Sequence, residues 1–286
     1  MTTVEDLLRP PVLGAIADDD HAPHIVETVE RLADLHDLRP LYLHVCGHYL
    51  AAPVICRVGA PYEEPPLPDL TISEAENAYI AWRSAQPILA HAGVAIGREA
   101  YILAGGPPVL ALREMARKLR AAAIVVGRGT PRRRVVRYLA GDTAPGVARS
   151  FPTPAVFVDD APLTFDKGPI ACVLPPEPDA WDDQLHTATT LASRSGTTLG
   201  LHAVAPAPAR RARLPVEPTP LPAGRPASTA IAALAERSRP ALVIVPQPET
   251  SPLRAFARGS LAIDLLTSCD APIMTCPERR AARNVC

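Results

Sequence analysis

The residues with the clearest chemical potential lie in one stretch, Gly127-Arg128-Gly129-Thr130-Pro131-Arg132-Arg133-Arg134, which closes at Gly141-Asp142-Thr143. Glycines let backbone N–H groups approach an anion, and a helix start adds partial positive charge, so the stretch has the make-up of a phosphate-binding loop. Arg128, Arg132, Arg133, Arg134 and Arg137 either clamp phosphates or an acidic partner, or form a solvated basic loop. Asp18, Asp19 and Asp20 suit a ribose or a cation, and equally the capping of a helix. His44, Cys46 and His48, with Cys56, are of zinc-ligating type. His202, the counterpart of His44 in the repeat described below, lacks such neighbours, and no metal site is expected. Neither a Ser-His-Asp set, a nucleophile elbow nor an HExxH pattern is visible, so no catalytic residue is assigned.

The elements that must position these residues are written twice. Pro11-Val12-Leu13-Gly14-Ala15-Ile16 returns as Pro169-Ile170-Ala171-Cys172-Val173-Leu174, and Leu43-His44-Val45 as Leu201-His202-Ala203, both at an offset of 158. Ala123-Ile124-Val125-Val126 returns as Leu242-Val243-Ile244-Val245 at an offset of 119. Gly141 and Thr153-Pro154-Ala155-Val156 return as Gly259 and Ala271-Pro272-Ile273-Met274 at 118. Register held within segments and changed only between them implies two copies of one domain. About 39 residues between His44 and Gly105 have no counterpart, so the second copy is trimmed.

Composition narrows the classes. A length of 286 residues fits two domains, and 48% hydrophobic with 21% charged residues reads as soluble and globular. A net charge of −1 supplies no field for nucleic acid or an anionic membrane, and 4% aromatics leaves few base-stacking platforms. There is no apolar run of the roughly 18 residues needed to span a bilayer, nor a signal-peptide pattern, so a cytoplasmic protein is expected. The six cysteines form no CxxC pair and read as free buried thiols.

Apolar runs at 12–16, 41–45, 94–103, 123–126 and 155–158 are expected as strands, separated by helices opening near Asp18–Asp20, at the Ser73-Glu74-Ala75-Glu76 capping box, and after Gly105-Gly106-Pro107. Pro87 is expected to kink or divide the second helix, and 49–69 reads as irregular. The second copy repeats the plan with strands at 170–174, 198–204, 242–245 and 273–276, a poorly defined strand near 214–216, and helices at 181–192 and 228–238. Alternating strands and helices imply a parallel sheet covered on both faces, with a ligand crevice beyond the C-terminal strand ends. Trp82 and Trp181 read as packing residues.

This arrangement resembles the universal stress protein family in its tandem form. The family pattern, Gly-x2-Gly-x9-Gly-Ser/Thr after an apolar fourth strand and a Pro-x-Pro step before the last, has its counterparts in Ile124-Val125-Val126-Gly127, Gly141 and Pro152-Thr153-Pro154-Ala155-Val156. In the second copy Val243-Ile244-Val245, Gly259-Ser260 and Ala271-Pro272-Ile273-Met274 stand there. The resemblance implies an α/β fold of two tandem Rossmann-like domains, at 9–160 and 167–279. Each is an open parallel five-stranded sheet of order 3-2-1-4-5 with helices on both faces, the second lacking the second helix. The last strands, 155–158 and 273–276, are expected to meet across a pseudo-two-fold axis, because an apolar edge strand left open invites pairing.

The departures bear on function. Where the ATP-binding branch has an aspartate at the end of the first strand, this chain has Ala17, with Asp18 one place later, and Pro175 in the second copy. The first loop carries one inserted residue and a displaced second glycine, and Asp142 stands in the Ser/Thr column. In the second copy Pro246 and Glu249 replace both loop glycines. The expectation is a non-enzymatic stress-response or regulatory binding module with at most weak binding of ATP or another adenine nucleotide. Its site residues would be Asp18, Val45, Gly127, Arg128, Gly129, Thr130, Gly141, Asp142 and Thr143 of the first copy. The open alternatives are an ATP-binding, slowly hydrolysing protein and a purely structural dimerisation protein. Expected partners are a small-molecule ligand or a regulatory protein, with a homodimer or an intramolecular pseudo-dimer as the assembly.

Overall fold

A computed structural model describes residues 9–17, 19–63, 71–128, 143–175, 181–203, 218–222, 226–247 and 261–277. The chain divides into two compact units, residues 1–129 with 158–162, and residues 130–157 with 163–286.

The first unit runs β1 (Pro11–Ala15), α1 (Ala22–His36), β2 (Arg39–Val45), β3 (Val54–Arg57), α2 (Ile72–His91), β4 (Glu99–Leu103), α3 (Pro108–Lys118) and β5 (Ala123–Gly127). Its strands lie in the order β3-β4-β2-β1-β5, parallel except for β3, which is antiparallel to β4. Ile25, Val29 and Leu32 form the buried stripe of α1. Gly14 lets that helix close on the sheet, because a Cβ there would stand 2.9 Å from Val29 Cγ2 and 3.3 Å from Ile25 Cγ2.

The second unit holds α4 (Thr143–Ser150), β6 (Ala155–Val158) except its last residue, β7 (Ile170–Leu174), α5 (Trp181–Ser195), β8 (Leu199–Ala203), β9 (Thr219–Pro220), α6 (Ala227–Ser238), β10 (Leu242–Pro246), α7 (Leu261–Ser268) and β11 (Ile273–Cys276). The parallel order β9-β8-β7-β10-β11 is the 3-2-1-4-5 arrangement expected from the sequence. The last strands of the two copies do meet: β6 runs antiparallel to β11, with Phe157 opposite Ile273, Val156 opposite Met274 and Ala155 opposite Thr275. Their burial removes an apolar edge that would otherwise invite pairing with another chain.

Several local expectations are corrected. The stretch read as irregular contains β3, whose alternation of buried Val54 and Cys56 with exposed Ile55 and Arg57 is that of a short edge strand. The strand expected at 94–103 begins only at Glu99. Before it, Val94 N–H closes the end of α2 on Leu89 O, and Gly93 and Gly97 take positive φ values of 81° and 88°. The capping box of α2 is Thr71 with Glu74, two residues earlier than Ser73 with Glu76. Thr71 Oγ1 accepts from the Glu74 N–H and Glu74 Oε2 from the Thr71 N–H, which holds the Glu74 carboxyl below its ordinary pKa. Pro87 does not divide α2, which is one helix over 72–91. Both Pro87 and Arg83, whose carbonyl loses its helical donor, are exposed residues, so the lost bond falls on the solvent side of the helix. The strand expected near 214–216 lies outside the described residues.

Five cysteines (46, 56, 172, 269 and 276) are free and buried, behaving as small hydrophobes. Burial pushes the Cys56 thiol up to about 11 and the Cys276 thiol to about 12. Trp181 is buried, whereas Trp82 is half-buried against Tyr62 and Tyr79, with ring centroids 5.4 and 5.9 Å away.

At the entry to β7 the chain passes very close to α6. A Cβ on Gly168 would lie 2.2 Å from the Arg239 carbonyl oxygen, which is backbone and cannot rotate away. Gly168→Ala is expected to destabilise the second unit by about 1–3 kcal/mol. Urea unfolding followed by circular dichroism, with an unchanged midpoint, would refute this.

Candidate functional site

Beyond the C-terminal ends of β1 and β5, the residues at the start of α1 close over the sheet. The Asp19 carboxylate accepts the His21 N–H at 3.1 Å, and Asp19 O accepts the Ala22 N–H at 3.2 Å, turning the chain tightly into α1. Asp19 thus shapes the turn before the helix; the N-cap is His21, which makes no side-chain capping bond. That turn buries His21 directly above Gly127, where a Cβ would stand 3.1 Å from His21 Cβ. Glycine at the end of β5 eases this close approach of His21.

The next residue, Arg128, turns inward. Its N–H donates to Val158 O at 2.8 Å, and its guanidinium Nη2 donates to Asp159 Oδ2 at 3.3 Å. The Arg128 side chain is 1% exposed and that of Asp159 14%. The solvated-loop reading does not describe the Arg128 side chain, which is buried and donates to a carboxylate of its own chain. His21 Nδ1 lies 3.3 Å from Asp159 O and 3.8 Å from Asp160 Oδ1.

The other expected site residues divide in two groups. Val45 ends β2, on the far side of β1 from Gly127. Thr143 opens α4 in the second unit. Asp18, Gly129, Thr130, Gly141 and Asp142 lie outside the described residues. The structure thus brings Gly127 and Arg128 together with His21, Asp159 and Asp160, three residues that sequence reasoning left out. Of the zinc-type residues, His44 Nδ1 is 3.0 Å from Ile16 O and Cys46 Sγ is 3.3 Å from Leu103 O. Among the described residues, the one group of metal-ligating side chains is His21, Asp159 and Asp160.

The second unit repeats the backbone of this site with different chemistry. Gln247 N–H donates to Cys276 O at 2.9 Å, as Arg128 does to Val158. Pro246 occupies the place of Gly127, Gln247 that of Arg128, and Pro277 that of Asp159. Beneath them Gln184, 2% exposed, donates to Val173 O at 2.7 Å and Ile244 O at 3.3 Å. A helix-borne amide is thus spent on strand carbonyls, where the first copy has Ile25. A comparison of the two copies was the sequence signal for the missed residues: a charged pair in one stands opposite a neutral pair in the other.

No protein-family model and no curated protein matches the sequence. Solved structures do match along the whole chain. A universal stress protein from Archaeoglobus fulgidus DSM 4304 aligns with a TM-score of 0.63 at 14% identity, covering 95% of this chain and 98% of that one. A putative universal stress protein from Pseudomonas aeruginosa UCBPP-PA14 aligns at 0.61 and 11% identity, covering 96% and 95%. A functionally unknown protein of Pseudomonas aeruginosa PAO1 aligns at 0.58 and 10% identity, with the same coverages. At these identities the likeness is one of architecture, and the chain has the fold of the universal stress proteins.

Proposed function

We propose that the chain is a non-enzymatic, universal-stress-type regulatory module. Its first copy carries the ligand crevice and its second copy serves as a structural partner. The observation that carries this reading is the exchange of Gly127, Arg128 and Asp159 for Pro246, Gln247 and Pro277 on an equivalent backbone. Proline removes a donor N–H from the second crevice. In the first, the Arg128 charge is already answered by Asp159, so little of it remains for a phosphate. The candidate ligand is an adenine nucleotide held weakly around Asp18, Val45, Gly127 to Thr130 and Gly141 to Thr143. Among the described residues, there is no helix long and apolar enough to cross a membrane. Buried free thiols support a reducing, cytoplasmic setting. Pairing of β6 with β11 supports an intramolecular pseudo-dimer.

Calorimetry with ATP and magnesium is expected to return weak or no binding. A lost loop donor and the added Asp142 each cost about 1–3 kcal/mol, a factor of roughly 5 to 150 apiece. Asp142→Ser should strengthen binding by replacing a repulsive carboxylate with a neutral hydroxyl. Submicromolar affinity of the unaltered chain would overturn the proposal, as would weaker binding after Asp142→Ser.

A further inference from the structure

The group at the mouth of the first crevice has a composition that nucleotide binding does not use. We infer that His21, Asp159 and Asp160 form a binding site for a divalent first-row metal ion of the zinc or manganese class. Each residue offers one ligand atom, and the three atoms lie within 4.8 Å of one another. The His21–Asp160 separation is that of two ligands around one ion. His21 Nδ1 is 3.8 Å from Asp160 Oδ1, beyond hydrogen-bond reach, and 3.3 Å from Asp159 O, at the long end of it. Donors bound about 2.0–2.2 Å from one metal stand roughly 3–4 Å apart, so closing on an ion needs only small side-chain shifts. The Asp159 carbonyl supplies a further oxygen on the same side.

Charge points the same way. Among the described residues, Asp160 lies beside His21, the Asp19 carboxylate accepts the His21 N–H, and Arg128 donates to the Asp159 carboxylate. Carboxylates gathered beside an imidazole favour a cation there. Arg128, fixed by burial, orients the Asp159 carboxylate, the part an outer-shell donor plays at metal sites. One imidazole with two carboxylates favours zinc or manganese over magnesium, which prefers oxygen alone. Gly127 contributes by letting the imidazole sit where it does.

The test is titration of the metal-free, reduced full-length chain with Zn²⁺ alone by calorimetry. The expected result is one ion per chain, bound at least tenfold more weakly after Asp160→Asn and after His21→Ala. The Asp160 side chain is 74% exposed, so its variant keeps the fold and decides the matter if His21→Ala does not. Circular dichroism checks both. No binding by the unaltered chain overturns the inference. Zn²⁺ affinity unchanged in folded Asp160→Asn also overturns it, since the ion then sits elsewhere, for example on thiols. Nucleotide affinity is read separately with magnesium, so failure of either reading leaves the other standing.

Discussion

Replacing Trp181 with alanine should destabilise the second unit by about 4 kcal/mol, the largest effect expected of any single side chain in it. Trp181 is 3% exposed at the first position of α5, and its indole Nε1 donates to Pro175 O at 2.7 Å. The ring fills space beside the sheet, and the hydrogen bond ties the end of β7 to the start of the next helix. Truncation removes both and leaves a cavity in rigid surroundings. Trp181→Phe separates the two contributions: it keeps most of the volume and leaves the Pro175 carbonyl without its donor, for a cost of about 1–2 kcal/mol. Urea unfolding followed by circular dichroism reads both, since fluorescence would lose one of its two tryptophans. Equal losses in the two variants would mean that the hydrogen bond, not the packing, is what matters there.

Trp181 was legible as a packing residue from its helical spacing, and so was most of the sheet. Buried parallel strands are continuous apolar runs, and a repeat shows them twice; this is why β1, β2, β5, β7, β10 and β11 fall where the sequence puts them. The edge strand β3 was hidden because it spans only Val54–Arg57 between Pro53 and Pro61, too short for alternation to stand out. The cap of α2 was misplaced because Thr71-Ile72-Ser73-Glu74 and Ser73-Glu74-Ala75-Glu76 both satisfy the same pattern, and only packing chooses between them.

The candidate site was half legible for a different reason. Gly127 and Arg128 follow an apolar strand directly, so their place at a strand end is a local fact. Asp159 and Asp160 read as linker, because their meeting with His21 spans 138 residues and depends on where β6 ends relative to β5. Local pattern carries no information about such a contact. It becomes visible only when the two copies are compared column by column.

That comparison also sets the expected outcome at Arg128 and Asp159. Asp159→Ala should cost about 3 kcal/mol, because it leaves a guanidinium 1% exposed without its carboxylate. Arg128→Gln should cost less, about 2 kcal/mol, since the Asp159 side chain left behind is 14% exposed and can be partly hydrated. The double variant should cost clearly less than the sum, with a coupling of at least about 1 kcal/mol. The second copy supports this: the Gln247 N–H still donates to Cys276 O at 2.9 Å with a neutral glutamine and Pro277 in place of the pair, so the backbone does not require it. A buried ion pair that its own duplicate dispenses with is not demanded by the backbone, and in the metal site inferred above its part would be to hold the Asp159 carboxylate in place. The four chains of the cycle should be unfolded in urea with a chelator present, so that metal linkage does not enter. Strict additivity would show that Arg128 and Asp159 do not interact energetically, and would remove the argument that Arg128 positions that carboxylate.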